Sequence, residues 1–251
     1  MRRGMAAVVV AALFMAGCGG GAAAPAPAPG ASALVPGGSC PGMASGVGAT
    51  PVRFGVGGAT NLAGLIGGSG SVGIVLAHQA EADLCQWILG FNELIGRGYR
   101  VLAFDFHGHG ASESSEAGFD EDVAAAAAVV RSAGATSVVL VGASMGGTFS
   151  LAAAAKITPP VAGVVSVSAP LAYGGVSAQQ SAPSVGVPAL FLAHEDDGIF
   201  GDSARELAAA CGDATAVVTP GAIHGVPLVI EGGDPKLRAA FFDFLTEHAP
   251  V

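Results

Sequence analysis

A chain of 251 residues, 51% hydrophobic and 12% charged, is long enough for one domain that buries roughly 70% of the surface its unfolded chain exposes. The formal net charge is −9, and without clustered Lys and Arg to neutralise phosphates the composition argues against a nucleic-acid partner. The 40 glycines and the abundance of Ala and Val suit thin, closely packed helices against a buried sheet.

The first 17 residues read as a secretory signal. Met1-Arg2-Arg3 is a short basic region, Ala6 to Met15 an apolar run too short to span a bilayer as a mature helix, and Met15-Ala16-Gly17 puts small residues before Cys18. This junction resembles a bacterial lipobox, which would make Cys18 the lipidated first residue of an exported, membrane-anchored protein. Met15 stands where Leu is more usual, so cleavage by an ordinary signal peptidase and plain secretion is the alternative, with a retained membrane anchor behind it. Residues 18–45 are rich in Gly, Ala and Pro. No core can form from them, and their Pro-Ala repeats favour extended polyproline conformation. As a tether at ~3.1 Å per residue they would reach up to ~60 Å from a membrane. The globular domain is expected over 46–251. Three further cysteines remain, Cys40, Cys85 and Cys211. In an oxidising compartment one disulfide is expected, with one thiol left over. Cys40–Cys85 is favoured because it would tie the entering segment to the domain, and three buried reduced thiols are the alternative.

From residue 50 strands alternate with helices. Pro51 to Val56 and Asn61 to Ile66 look like a hairpin around Gly57-Gly58. Val72 to His78 is a continuous apolar run, Leu84 to Arg97 a helix that Gly98 stops, and Tyr99 to Phe104 the next strand. Phe119 to Ala133 is an Ala-rich helix that opens with Asp120, Glu121 and Asp122, as the helix dipole prefers. A strand over Ser137 to Val141 precedes a helix over Met145 to Lys156. Strands at Val161 to Val167, Val187 to Ala193 and Ala214 to Val218 follow, with helices at Ser203 to Ala210 and Pro235 to His248. Buried strands alternating with helices predict a mostly parallel sheet covered on both faces, an α/β fold.

Four segments fall where such a sheet places its chemistry, beyond the C-terminal ends of strands. Gly142-Ala143-Ser144-Met145-Gly146-Gly147 joins an apolar strand to a helix and has the Gly-x-Ser-x-Gly spacing of a nucleophile elbow. Glycines at 142 and 146 relieve a turn too tight for side chains, leaving Ser144 to project. The following helix would aim the Met145 N–H at a developing oxyanion. Ala193-His194-Glu195-Asp196-Asp197 offers an acid to orient a histidine; Asp197 is preferred and Asp196 is the alternative. His224, between small residues after the last strand, completes the order Ser, Asp, His. Leu76-Ala77-His78-Gln79-Ala80 should supply a second oxyanion donor.

These segments together resemble the α/β-hydrolase family over residues ~50–248, with about eight strands and a minimal cap. By that resemblance the second oxyanion donor is the Ala80 N–H, with Gln79 as fallback, and Asp197 takes the place of the acid in Gly-x-x-Asp, with His194 where the Gly usually stands. Gln79 replaces a usual Gly, and its side chain is a possible extra donor or lid; His78 is expected to pack and fix the loop rather than to catalyse. Asp105-Phe106-His107-Gly108-His109-Gly110-Ala111-Ser112 resembles the Asp-x-[Arg/His]-Gly-x-Gly-x-Ser turn, so His107 and His109 are read as shaping a loop rather than binding a metal. Only Ser168 to Gly186 stand where many members insert a helical cap, which predicts an open site. The resemblance implies carboxylic ester hydrolysis through Ser144, His224 and Asp197, with no cofactor or metal and a small-molecule acyl substrate. Peptidase or thioesterase activity would use the same residues. A surface lipoprotein that only binds is the alternative of a different kind.

Overall fold

The computed structural model describes Cys40, residues 48–55 and residues 61–251. The expected signal, Cys18, almost all of the expected tether and the expected Gly57-Gly58 turn therefore lie outside the described residues. Among the described residues ten strands and six α-helices run in the order β1 (Ala49–Phe54), β2 (Leu62–Gly67), β3 (Val72–Ala77), α1 (Ile88–Gly96), β4 (Arg100–Phe104), α2 (Phe119–Ser132), β5 (Ser137–Ala143), α3 (Met145–Ala154), β6 (Gly163–Val167), β7 (Ala172–Tyr173), β8 (Val176–Ser177), α4 (Ala178–Ser181), β9 (Ala189–His194), α5 (Phe200–Ala210), β10 (Ala214–Thr219) and α6 (Pro235–His248). Eight strands form one sheet in the order β1-β2-β4-β3-β5-β6-β9-β10. The β1–β2 and β2–β4 pairs are antiparallel and the others parallel.

The apolar runs become central strands because both of their faces are buried. Successive side chains of a strand point to opposite faces, and the two halves of the core sort accordingly. Val75, Ala77, Val138, Leu140, Val164 and Phe191 pack with Val123, Ala126, Val130, Phe149 and Leu207 of α2, α3 and α5. Ile74, Leu76, Val139, Val141, Val165 and Leu192 pack with Phe91, Leu94, Leu237, Phe241 and Leu245 of α1 and α6. The expected hairpin pairs Ala49 to Phe54 with Gly67 to Leu62. The helix expected over Leu84 to Arg97 divides: Asp83 accepts the Cys85 N–H at 2.9 Å and opens a 3-10 turn, Leu84–Trp87, before α1 begins.

The segment 168–186 carries structure that its sequence hid. β7 and β8 form a two-residue ladder around Gly174 and Gly175, both with positive φ (54° and 82°), as a tight hairpin turn of the primed kind requires. The Tyr173 ring meets Phe149 edge-on at 6.1 Å. A disulfide joins Cys40 to Cys85. Cys40 is buried in the core half under α1, so the chain is already fastened to the domain there. Cys211 is a buried free thiol, and burial pushes its pKa up to about 11.

Candidate active site

Ser144 sits between β5 and α3 with φ 49° and ψ −116°, a backbone conformation that costs a non-glycine residue about 1–3 kcal/mol. The surroundings hold it there. Its N–H donates to the Val167 carbonyl at 2.8 Å, and its carbonyl receives the Thr148 N–H of the first turn of α3 at 3.1 Å. The glycines on either side are demanded by close approach. A Cβ on Gly142 would lie 2.2 Å from the Gly146 carbonyl oxygen, and one on Gly146 would lie 2.4 and 2.6 Å from the carbonyl oxygens of Ala77 and His78. The turn thus packs backbone on backbone, and the hydroxyl-bearing residue is half-buried at the top of the sheet.

The acid and the histidine meet. The His224 Nδ1 lies 2.8 Å from Asp197 Oδ2, with the carboxylate buried and the imidazole about one-third exposed. With Nδ1 turned to the acid, Nε2 is the nitrogen left for other partners. The Phe200 ring stands 4.3 Å from the imidazole and limits its swing. Asp196 is exposed, and its backbone N–H donates to the Gly221 carbonyl at 2.8 Å. The loop carrying His224 reaches the elbow through Gly225, where a Cβ would be 3.8 Å from that of Ala143 and whose N–H donates to the buried Ser168 Oγ at 3.1 Å. Among the described residues no hydrogen bond joins Ser144 Oγ to His224. In unliganded sites of this kind such bonds are often long and tighten around substrate.

The loop after β3 is fixed from within. His78 is fully buried, and its Nε2 must accept because it faces the Phe106 N–H at 3.1 Å. The ring proton therefore lies on Nδ1 and is donated to the Gln79 carbonyl at 2.7 Å. Burial drives the pKa of this ring down to about 4, so it is neutral at pH 7. The Gln79 N–H is taken by Gln86 Oε1 at 3.2 Å, whereas no partner holds the Ala80 N–H among the described residues. Glu81 follows with a left-handed φ of 58°, which turns the chain away. The side chain of Gln79 runs to Gly225, where a Cβ would meet its Oε1 at 2.2 Å, and this oxygen is buried without a hydrogen-bond partner. Gln79 thus lies under the histidine loop rather than over the opening.

His107 and His109 also have assigned places. The His107 N–H and Nδ1 both face Asp122 Oδ2, at 3.0 and 2.7 Å, and its ring stacks on Phe119 at 4.1 Å. His109 Nδ1 donates to the His107 carbonyl at 3.0 Å. Asp105 accepts the N–H groups of Leu84 (2.7 Å) and Ala111 (2.8 Å), clamping this turn to the one that precedes α1. No group of three or more His, Cys, Asp or Glu placed to hold a metal occurs among the described residues. Sequence reasoning missed Phe200, Ser168 and Gln86 as supports of the site. Their roles depend on partners 24 to 57 positions away or on another loop, and only a polar residue just past a buried strand hints at Ser168.

Residues 67–183 match the profile of a family described as alpha/beta hydrolase fold. No curated protein matches the chain in sequence. Among solved structures, an esterase of Pyrococcus furiosus superposes with a TM-score of 0.67 at 14% identity, covering 81% of this chain and 91% of that one. A predicted CIB-like hydrolase of Thermoplasma acidophilum gives 0.63 at 24% identity, covering 80% and 100%. An esterase of Rhodococcus sp. ECU1013 gives 0.65 at 20% identity, covering 79% and 99%.

Proposed function

We propose that this chain, which has the α/β-hydrolase fold, is a serine hydrolase of carboxylic esters. The observation that carries the proposal is the buried Asp197 carboxylate holding His224 at 2.8 Å, on a loop that through Gly225 approaches the elbow in which Ser144 is kept in a strained turn at a helix N-terminus. In this reading Ser144 Oγ attacks the acyl carbon while His224 Nε2 takes its proton. Asp197 fixes the tautomer with Nδ1–H and stabilises the imidazolium that forms. The N–H groups of Met145 and Ala80 receive the oxyanion, each lowering the barrier by about 3 kcal/mol if preorganised. His224 then returns the proton to the leaving alcohol, and water cleaves the acyl-enzyme by the same route in reverse. Every step uses a group of the chain, so the reaction requires no cofactor.

Ester rather than amide cleavage is proposed from the named esterases with which the fold superposes. Ile199 and Ile223 flank the Asp197–His224 pair and are more than half or half exposed. This apolar rim suits an acyl or alkyl chain. The same proposal extends to the N-terminus: residues 1–17 as signal peptide, Cys18 as the lipidated residue, 18–45 as tether and 46–251 as catalytic domain, facing away from the cytoplasm at a membrane. Mass spectrometry of the mature N-terminus tests this part; an unmodified N-terminus downstream of Cys18 would sink it.

Hydrolysis of p-nitrophenyl esters from acetate to palmitate tests the chemistry. Wild type is expected to turn over with a burst of p-nitrophenol, and Ser144→Ala and His224→Ala to lose both. Labelling of Ser144 by a fluorophosphonate without turnover of any ester would redirect the proposal to a peptidase or thioesterase. Neither labelling nor turnover would leave a binding lipoprotein.

A further inference from the structure

The loop Pro220–Gly225, which carries His224, lies between β10 and a 3-10 turn at Val226–Leu228 and belongs to neither. Among the described contacts its backbone is held at four points: the Gly225 carbonyl by Leu228 N–H, the Gly221 carbonyl by Asp196 N–H, Gly225 N–H by Ser168 Oγ, and Ile223 N–H by the ring of His194 at 3.0 Å. The last two bracket His224 on either side. His194 ends β9, is 5% exposed, and stands in the strand position just before the acidic residues of the site. Gly221 (φ 141°) lies so close on its imidazole that a Cβ would sit 2.4 Å from Nδ1.

The partners fix the tautomer of this ring. Ile223 offers an N–H, so Nδ1 must accept, and the ring proton belongs on Nε2, which faces Asp234 Oδ2 at 3.3 Å. Asp234 is itself immobilised. Its Oδ1 caps α6 by accepting Lys236 N–H and Leu237 N–H at 2.8 and 3.0 Å, and its Oδ2 also accepts the Thr219 hydroxyl at 3.1 Å. A rigid chain of contacts thus runs from the start of α6 through Asp234 and His194 to the backbone next to His224.

We infer that His194 is a positioning residue whose Nδ1 acceptor, oriented by Asp234, holds the loop that presents His224 to Ser144. The inference rests on the reading of His224 as the general base. A ring with the proton on Nδ1 would set two donors against each other at Ile223 and release the loop, so the tautomer matters as well as the side chain's volume.

Four full-length proteins test it: wild type, His194→Ala, His194→Asn and Asp234→Asn, each measured for kcat and KM on p-nitrophenyl butyrate and for melting temperature. Asn at 194 can place its Oδ1 where Nδ1 stands. Asn at 234 keeps the helix cap only with its oxygen on Lys236 and Leu237, which turns its NH2 toward Nε2 and favours the wrong tautomer. His194→Ala is expected to lower kcat about 100-fold with KM within about twofold, because a loop displaced by ~1 Å misplaces the base. His194→Asn should recover most of that loss, and Asp234→Asn should lower kcat at least about tenfold while melting near wild type. Wild-type kcat in His194→Ala, or an equal loss in His194→Asn and His194→Ala at wild-type melting temperatures, would overturn the inference. If His194→Ala does not fold, undiminished kcat in Asp234→Asn overturns it. Wild type that neither hydrolyses esters nor reacts with a fluorophosphonate overturns the reading of His224 first, and the inference with it.

Discussion

At the scale of single residues, burial separates groups that the sequence leaves equivalent. Asp196 and Asp197 are neighbours, yet one is exposed and the other buried against His224. Asp197→Asn is therefore expected to lower kcat by about 10²–10⁴, the usual contribution of a correctly held base, whereas Asp196→Asn leaves ester turnover near wild type because only its backbone is engaged. Equal losses in the two variants would sink the assignment of the acid. Burial also gives His78 and Asp105 opposite dependences on pH. His78 has its pKa lowered from 6.5 to about 4 by desolvation, against a hydrogen bond from its ring to the Gln79 carbonyl. The unfolded chain then binds more protons between those values, so this ring adds stability as pH rises from 4 to 6.5, by up to about 3 kcal/mol. Asp105 has its pKa raised from 3.8 to about 6 by desolvation, which outweighs the N–H groups of Ala111 and Leu84. Here the folded chain binds more protons, so its contribution is greatest near pH 4 and falls by up to about 3 kcal/mol as pH rises to 6. The two nearly cancel in wild type. Urea unfolding at pH 4, 5, 6 and 7 should show the deficit of His78→Gln growing with pH and that of Asp105→Asn shrinking. Parallel slopes would contradict both assignments.

At the scale of elements, the strand–turn–helix that bears Ser144 is fixed by contacts no other side chain can make. Ala at 146 would drive a Cβ to within 2.4 Å of the Ala77 carbonyl, separating β3 from α3. Gly146→Ala is expected to cost at least about 3 kcal/mol, the upper range for overpacking, because backbone cannot rotate away. Gly186→Ala is the control: nothing lies within 4 Å of its Cβ and its φ is not positive. It should be neutral or stabilise by about 0.4–1 kcal/mol. Chemical denaturation of both variants distinguishes this account from a general intolerance of substitution at glycine. The elbow was legible because Gly142, Ser144 and Gly146 are local in sequence, and the central strands were legible because β3, β5, β6 and β9 bury both faces and so read as unbroken apolar runs. The β7–β8 hairpin was not: two-residue strands are too short to show a period of two. The supports of His224 were equally hidden, since His194 and Ser168 act on a loop 29 and 57 positions away.

At the scale of the whole molecule, the face formed by α1 and α6 is held by more than its apolar core. Arg238 of α6 bridges to Glu93 of α1 at 2.9 Å and to the Val229 carbonyl at 2.8 Å, while the Arg97 guanidinium lies 3.7 Å over the Phe242 ring. The Arg238–Glu93 pair is half-buried and, among the described residues, stands alone across these two helices, whereas the covalent tie on the same side restricts the whole chain segment it closes. The disulfide between Cys40 and Cys85, 45 positions apart, closes a loop that contains β1, β2 and β3. On the chain-entropy view, restricting a loop of that length in the unfolded state is worth about 4 kcal/mol. Cys85 also lies in the 3-10 turn beside Gln86, which holds the Gln79 N–H, so the tie steadies the turn that supports Ala80. Cys40→Ser is therefore expected to melt roughly 10 °C below wild type in a protein of this size, and reductant should lower the wild type to the same point. In non-reducing denaturant, residues 40–251 should titrate one thiol, Cys211, rising to three after reduction. Equal melting temperatures with and without reductant, with three thiols freed, would show that packing of the first three strands holds this edge of the sheet without the covalent tie.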